Sequence, residues 1–126
     1  MKRTVRDAET KEPVTARFVR GRVYEVELEA SGPGLLENVL LTDRLPGGFE
    51  IESGRRGGDS ECDRVEEKDD RVRAFRTAAS RGPIRFRYRM RAVFPGAYAG
   101  GSASAEMLYA PGVVARTAAS RVEIEP

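Results

Sequence analysis

Between Ile84 and Arg91 apolar residues alternate with arginine, Ile84-Arg85-Phe86-Arg87-Tyr88-Arg89-Met90-Arg91. A strand has this period, because its successive side chains point to opposite faces of a sheet. Ile84, Phe86, Tyr88 and Met90 are expected to face a core, with Arg85, Arg87, Arg89 and Arg91 on the other side. The run Tyr24-Glu25-Val26-Glu27-Leu28-Glu29-Ala30 alternates in the same way, sending Tyr24, Val26 and Leu28 inward and three glutamates outward. Side by side, the two strands would set Glu25, Glu27 and Glu29 against Arg85, Arg87 and Arg89 as a charge ladder; otherwise both rows are solvated faces.

Shorter strands are expected at Val14 to Val19, Val39 to Asp43, Phe49 to Glu52, near Val65, Val72 to Phe75, Ala103 to Tyr109 and Arg121 to Ile124. Breaks fall at Ser31-Gly32-Pro33-Gly34, Leu45-Pro46-Gly47-Gly48, Asp69-Asp70, Ser80-Arg81-Gly82-Pro83 and Pro95-Gly96, where glycine supplies turn dihedrals and proline removes a ladder donor. About seven to nine short strands with turn signals every 8–12 residues or so make an antiparallel β-sandwich, and no segment reads as a helix of ordinary length. Residues 1–13 are polar without a clear period and read as a lead-in or linker, leaving 14–126 as a single sandwich domain.

A chain of 126 residues suffices for one core without staples or metals. It has no histidine, so the usual general base and the commonest metal ligand are both missing. The net charge is only +2, with three lysines against a large excess of arginine, a compositional bias that says nothing about fold. Cys62 is the one cysteine, which excludes an internal disulfide. Its acidic neighbours Glu61 and Asp63 disfavour the thiolate, so it reads as an unreactive loop thiol. No run approaches the roughly 18 apolar residues of a membrane span, and the first residues lack the apolar core of a signal peptide.

The chain lacks a nucleophile elbow, phosphate-loop spacing and paired cysteines at zinc spacing. Asp59, Glu61 and Asp63 alternate without the further ligands of a calcium loop, so they read as a solvated acidic segment. No enzyme activity, metal or cofactor is expected. Arginines interleaved with aromatics suggest nucleic acid, but period two puts Phe86 and Tyr88 opposite the arginines, so rings and charges cannot grip one strand together.

Two blocks carry a family resemblance. Val39-Leu40-Leu41-Thr42-Asp43-Arg44-Leu45-Pro46-Gly47-Gly48-Phe49-Glu50-Ile51-Glu52 holds an Asp-x-Leu-Pro-x-Gly-Phe-Glu-Ile-Glu step. Phe86-Arg87-Tyr88-Arg89-Met90-Arg91-Ala92-Val93-Phe94-Pro95-Gly96 is followed by Ala105-Glu106-Met107-Leu108-Tyr109-Ala110-Pro111. Both resemble the C-terminal macroglobulin-like domain of bacterial alpha-2-macroglobulins. The resemblance implies a macroglobulin/immunoglobulin-like sandwich that is the non-catalytic, C-terminal piece of a large protease-trapping inhibitor in the periplasm or cell envelope. Its partners would be other domains of the same polypeptide, above all a thioester domain, and target proteases through the full-length protein. Membrane contact would come only through a lipid anchor on the parent.

The family's Cys-x-Glu-Gln thioester motif is missing, and Glu61-Cys62-Asp63-Arg64 does not match it, so the trap chemistry would lie upstream. The resemblance also implies that Leu108 and Tyr109, with Glu106 and Met107, contact the thioester domain and shield the thioester from water; Leu108 stands where the family has methionine. The alternatives are that Tyr109 fills its own core or anchors a strand end before Pro111, and that the chain is a structural bacterial surface-repeat sandwich without trap chemistry, since such modules share the Asp-x-Leu-Pro-x-Gly step.

Overall fold

The computed structural model describes residues 1–32, 34–52, 62–109 and 114–126. Among them lie twelve strands: β1 (Lys2–Asp7), β2 (Arg17–Val19), β3 (Val23–Ala30), β4 (Val39–Arg44), β5 (Phe49–Ile51), β6 (Arg64–Glu67), β7 (Arg71–Arg76), β8 (Ile84–Ala92), β9 (Gly96–Ala99), β10 (Ala103–Met107), β11 (Val114–Arg116) and β12 (Arg121–Glu125). The Pro33 break, the Asp59 and Glu61 positions and the Ala110-Pro111 end of the second block lie outside the described residues.

The two alternating runs are neighbours. β3 and β8 pair antiparallel at the centre of a sheet ordered β1-β3-β8-β5. Tyr24, Val26, Leu28, Ile84, Phe86, Tyr88 and Met90 are buried on its inner face. Opposite it lies a five-stranded antiparallel sheet, β11-β10-β4-β7-β6, whose Val39, Leu41, Val72, Ala74, Ala103 and Ala105 complete the shared core. A three-stranded sheet, β2-β12-β9, closes the end where β3 begins. There the Phe18 ring meets Tyr24 and Phe49 edge-on, with centroids 4.8 and 5.0 Å away, geometry that adds roughly 0.5–1.5 kcal/mol per pair beyond area burial.

The architecture is the expected all-β sandwich, with twelve strands in place of seven to nine and one parallel pair, β2 with β12. Residues 1–13 are not a lead-in: β1 pairs with β3 from Lys2↔Glu29 to Asp7↔Tyr24. Its inward positions are Arg3, Val5 and Asp7, so two of three core-facing residues are charged and the apolar period disappears. Inward charges are a known device of edge strands. β9, with one glycine and two alanines in four residues, and the three-residue β11 also lack a readable alternation.

The first motif block is a packed corner. The Tyr98 ring lies against Gly47 and Gly48, and its hydroxyl donates to the Phe94 carbonyl at 2.8 Å. A Cβ on Gly48 would stand 2.6 Å from the Tyr98 ring at a φ of +84°, so both space and backbone require glycine.

Asp7 closes the turn after β1. Its Oδ1 accepts the N–H groups of Glu9 (2.8 Å) and Thr10 (3.1 Å), and its Oδ2 accepts from Arg22 at 3.0 Å. The Thr10 N–H, against the opposing effect of desolvation and with help from Glu9 and Arg22, holds this carboxyl below its ordinary value of 3.8. A depressed folded pKa contributes stability above the unfolded value and loses it as pH falls through the folded one. The expected result is that Asp7→Asn is less stable than the parent sequence at neutral pH, and that the difference shrinks as pH falls below about 4. Urea midpoints measured across pH check this; a pH-independent difference would reject it.

Candidate functional site

Chemistry can sit in three places: the outer face of the β3–β8 pair, the interior between the sheets, and the turn that follows β10.

On the outer face the register sets Glu25 opposite Arg89, Glu27 opposite Arg87 and Glu29 opposite Arg85. Arg85 Nε lies 2.9 Å from Glu29 and 3.6 Å from Glu27, Arg87 Nε is 3.4 Å from Glu27, and Arg89 Nη2 is 3.7 Å from Glu25. Arg91 pairs with Glu52 at 3.1 Å. Such partly solvated pairs contribute only about 0.2–1 kcal/mol each. The arginines are thus engaged by carboxylates while Phe86 and Tyr88 are buried behind them, an arrangement that cannot stack bases and bind phosphates at once.

Sequence reasoning did not find the interior cluster. Asp43 of β4 is fully buried; Arg3 Nε lies 3.0 Å from both of its oxygens, and the Tyr88 hydroxyl of β8 donates to Oδ2. Burial pushes the Asp43 carboxyl up, against the Arg3 charge and the Tyr88 hydrogen bond. Burial also pushes the Tyr88 hydroxyl well above its ordinary range. The cluster ties β1, β4 and β8 together across the core. Asp43 and Tyr88 are sealed from solvent, so no substrate reaches the carboxylate or the hydroxyl, and only Arg3 borders a surface opening. A signal was present: a strand over Val39, Leu41 and Asp43 places the acid on the core face.

At the end of β10, Ala105 is buried, Glu106 exposed and Met107 half-buried against the core. Leu108 then donates its N–H to the Asn38 carbonyl at 3.0 Å. Asn38 has a φ of 51°, a left-handed conformation that asparagine tolerates better than most residues. Beyond this tether Leu108 is 44% exposed and Tyr109 82%. The chain has four tyrosines. Tyr24 accepts from the Val19 N–H, Tyr88 donates to Asp43 and Tyr98 to Phe94, whereas Tyr109 has no hydrogen bond among the described residues. Tyr109 therefore does not fill its own core.

Other chemistry is accounted for locally. Asp63 accepts from the Thr77 N–H at 2.8 Å, and Cys62 is half-buried against the core. Among the described residues no group of histidine, cysteine and carboxylate side chains is placed to hold a metal ion.

Residues 1–112 match the family model described as "Bacterial Alpha-2-macroglobulin MG10 domain". Among solved structures, native alpha-2-macroglobulin from Escherichia coli spanning MG7 to the C-terminus is similar at 21% identity and a TM-score of 0.86, over 99% of this chain and 23% of that one. A mutant of Salmonella alpha-2-macroglobulin is similar at 22% identity and 0.87, over 99% and 9%. Trypsin-activated E. coli alpha-2-macroglobulin is similar at 24% and 0.86, over 99% and 10%. At such identities the likeness concerns the fold. The chain spans less than a quarter of each of these proteins. No curated protein matches it.

Proposed function

The chain belongs to the bacterial alpha-2-macroglobulin MG10 domain family, and from that premise we propose that it is a non-catalytic, C-terminal packing domain of a protease trap, exported to the periplasm or cell envelope as part of its parent. The observation that carries this reading is the presentation of Leu108 and Tyr109, exposed to 44% and 82% on a backbone held to Asn38. A large apolar side chain held outward without a partner among the described residues fits an interface residue.

The partner is the thioester domain of the same polypeptide. A thioester survives only where water is excluded, and a tyrosine ring covers such a bond with a broad apolar face while its hydroxyl stays in solvent. Leu108 keeps the apolar contact that a methionine would make, without its polarizable sulfur. Bait cleavage and covalent capture then belong to the rest of the parent, and this domain packs on the thioester domain and moves with it.

In the full-length protein, Tyr109→Ala should speed spontaneous loss of the thioester by roughly tenfold, the equivalent of about 1.4 kcal/mol. Release of the free thiol measures it. An unchanged rate would reject the shielding role.

A further inference from the structure

Strand β1 sends its backbone groups alternately to β3 and to its free edge. Ala8, just past its end, donates its N–H to the Val23 carbonyl at 3.0 Å, so Lys2, Thr4 and Arg6 bond to β3 while Arg3, Val5 and Asp7 turn theirs outward. Part of that edge is covered. The Asp7 N–H reaches the Glu12 carbonyl at 2.9 Å, and the Val14 N–H reaches the Val5 carbonyl at 2.9 Å. The chain then leaves for β2, and the N–H groups of Arg3 and Val5 have no hydrogen bond at the edge among the described residues. Beside this stretch is an opening of about 350 Å³, lined by Arg3, Val5, Thr15, Thr117 and Ser120 among others.

The lining is rich in donors. Among the described residues Arg3 is its one charged member, and no carboxylate side chain borders it. Asp43 engages Arg3 through Nε, and Nη2 is left without a partner. An unpaired buried donor calls for an acceptor that the protein itself does not supply. Thr117 Oγ1 already accepts the Ala103 N–H at 2.9 Å, which leaves its hydroxyl hydrogen to donate elsewhere. The openings beside β5 and beside Arg91 differ in sign, because Glu50 and Glu67 line the first and Glu52 the second. At about 30 Å³ per water the space beside β1 equals roughly twelve waters, enough for a small oxyanion that keeps part of its hydration.

We infer that this opening binds a small oxyanion, a phosphate or a carboxylate, through the edge N–H groups of Arg3 and Val5 and the hydroxyls of Thr117 and Ser120, with the Arg3 guanidinium supplying the charge. Backbone N–H groups and a guanidinium are the donors that such anions take in charge-assisted bonds. Asp43 is sealed in the core and cannot itself fill the opening, but it offsets part of the Arg3 charge, so the site is expected to fill at millimolar anion concentrations. The site is independent of the packing proposed above.

The test is an NMR titration of the isotope-labelled 126-residue chain with inorganic phosphate, and separately with acetate, against sodium chloride at equal ionic strength. The amide resonances of Arg3 and Val5 should shift saturably, and severalfold more than those of Thr4 and Arg6, whose N–H groups are held by β3. Saturation with one of the two anions upholds the site and assigns its source, and saturation with both upholds it for either. Removing Arg3 would break the buried pair with Asp43, so the charge is tested at the rim, where Ser120 is exposed. Ser120→Asp should weaken binding at least about tenfold through like-charge repulsion, whereas Ser120→Asn, similar in shape but uncharged and still a donor, should keep it within about threefold. No saturable shift with either anion, or shifts that chloride reproduces, would overturn the site. So would shifts centred elsewhere on the chain, or an equal loss of binding in the two Ser120 variants.

Discussion

Asp43→Ala should destabilise the domain by about 3–5 kcal/mol, the cost of breaking a buried ion pair from one side. That is a large share of the roughly 5–15 kcal/mol that holds a typical domain together. The carboxylate is fully buried, and it is the acceptor for Arg3 Nε and for the Tyr88 hydroxyl. Alanine would leave a mostly buried guanidinium without its counter-charge and a sealed phenol without its acceptor. Arg3 Nη2 already lacks a partner with Asp43 in place, so the loss falls on a group that is incompletely satisfied to begin with. Tyr88→Phe removes only the neutral donor and should cost less, about 1–2 kcal/mol. The double replacement Arg3→Met with Asp43→Leu should recover the ionic part of the loss, since an apolar pair of similar volume carries no charge to desolvate, and should leave only the cost of the Tyr88 hydroxyl without its acceptor, about 1–2 kcal/mol. Urea unfolding of the four proteins decides it. A double variant as unstable as Asp43→Ala would mean that the cluster acts through shape and not through charge.

Gly101→Ala should cost about 3 kcal/mol or more, the upper part of the overpacking range. A Cβ at Gly101 would stand 1.5 Å from the Arg44 carbonyl oxygen and 2.6 Å from its carbon. Both are backbone atoms at the end of β4, so no side-chain rotation relieves the contact. The strands would have to separate where Ala103 pairs with Asp43 and where the Arg44 N–H reaches the Ser102 carbonyl at 3.2 Å. The substitution therefore also strains the position of Asp43, and its combination with Asp43→Ala should be less than additive, because both act on one connection. Thermal or urea unfolding of the single and double variants measures this. A Gly101→Ala protein of unchanged stability would show that the β4–β10 junction has more room than its backbone positions indicate.

Where a strand separates a buried face from a solvated one, its side chains record both. β3 and β8 are legible for that reason, and their opposite charges point to their pairing. β4 reads as a strand, yet its Asp43 passes as part of a motif, because its partners come from Arg3, 40 positions away, and Tyr88, 45 positions away. β1 is obscured by inward charges that make sense only beside Asp43 and Arg22. The glycines of the Leu-Pro-Gly-Gly step read as a turn, whereas the need for two of them comes from a Tyr98 ring contributed by a strand with almost no pattern of its own.

The residues after β10 divide in the same way. Their order suggests the family and singles out Leu108 and Tyr109, but exposure is a property of what the rest of the chain leaves uncovered. By itself the sequence determined the all-β class, the faces of the two long strands, the absence of histidine and of recognisable catalytic motifs, and the family resemblance, all of which depend on local period and residue identity. Only the tertiary structure decided that the first residues form an edge strand, that three polar side chains meet inside the core, and that Tyr109 faces outward. Each of these depends on which distant segments come within a few ångströms of one another, and local patterning does not encode that distance.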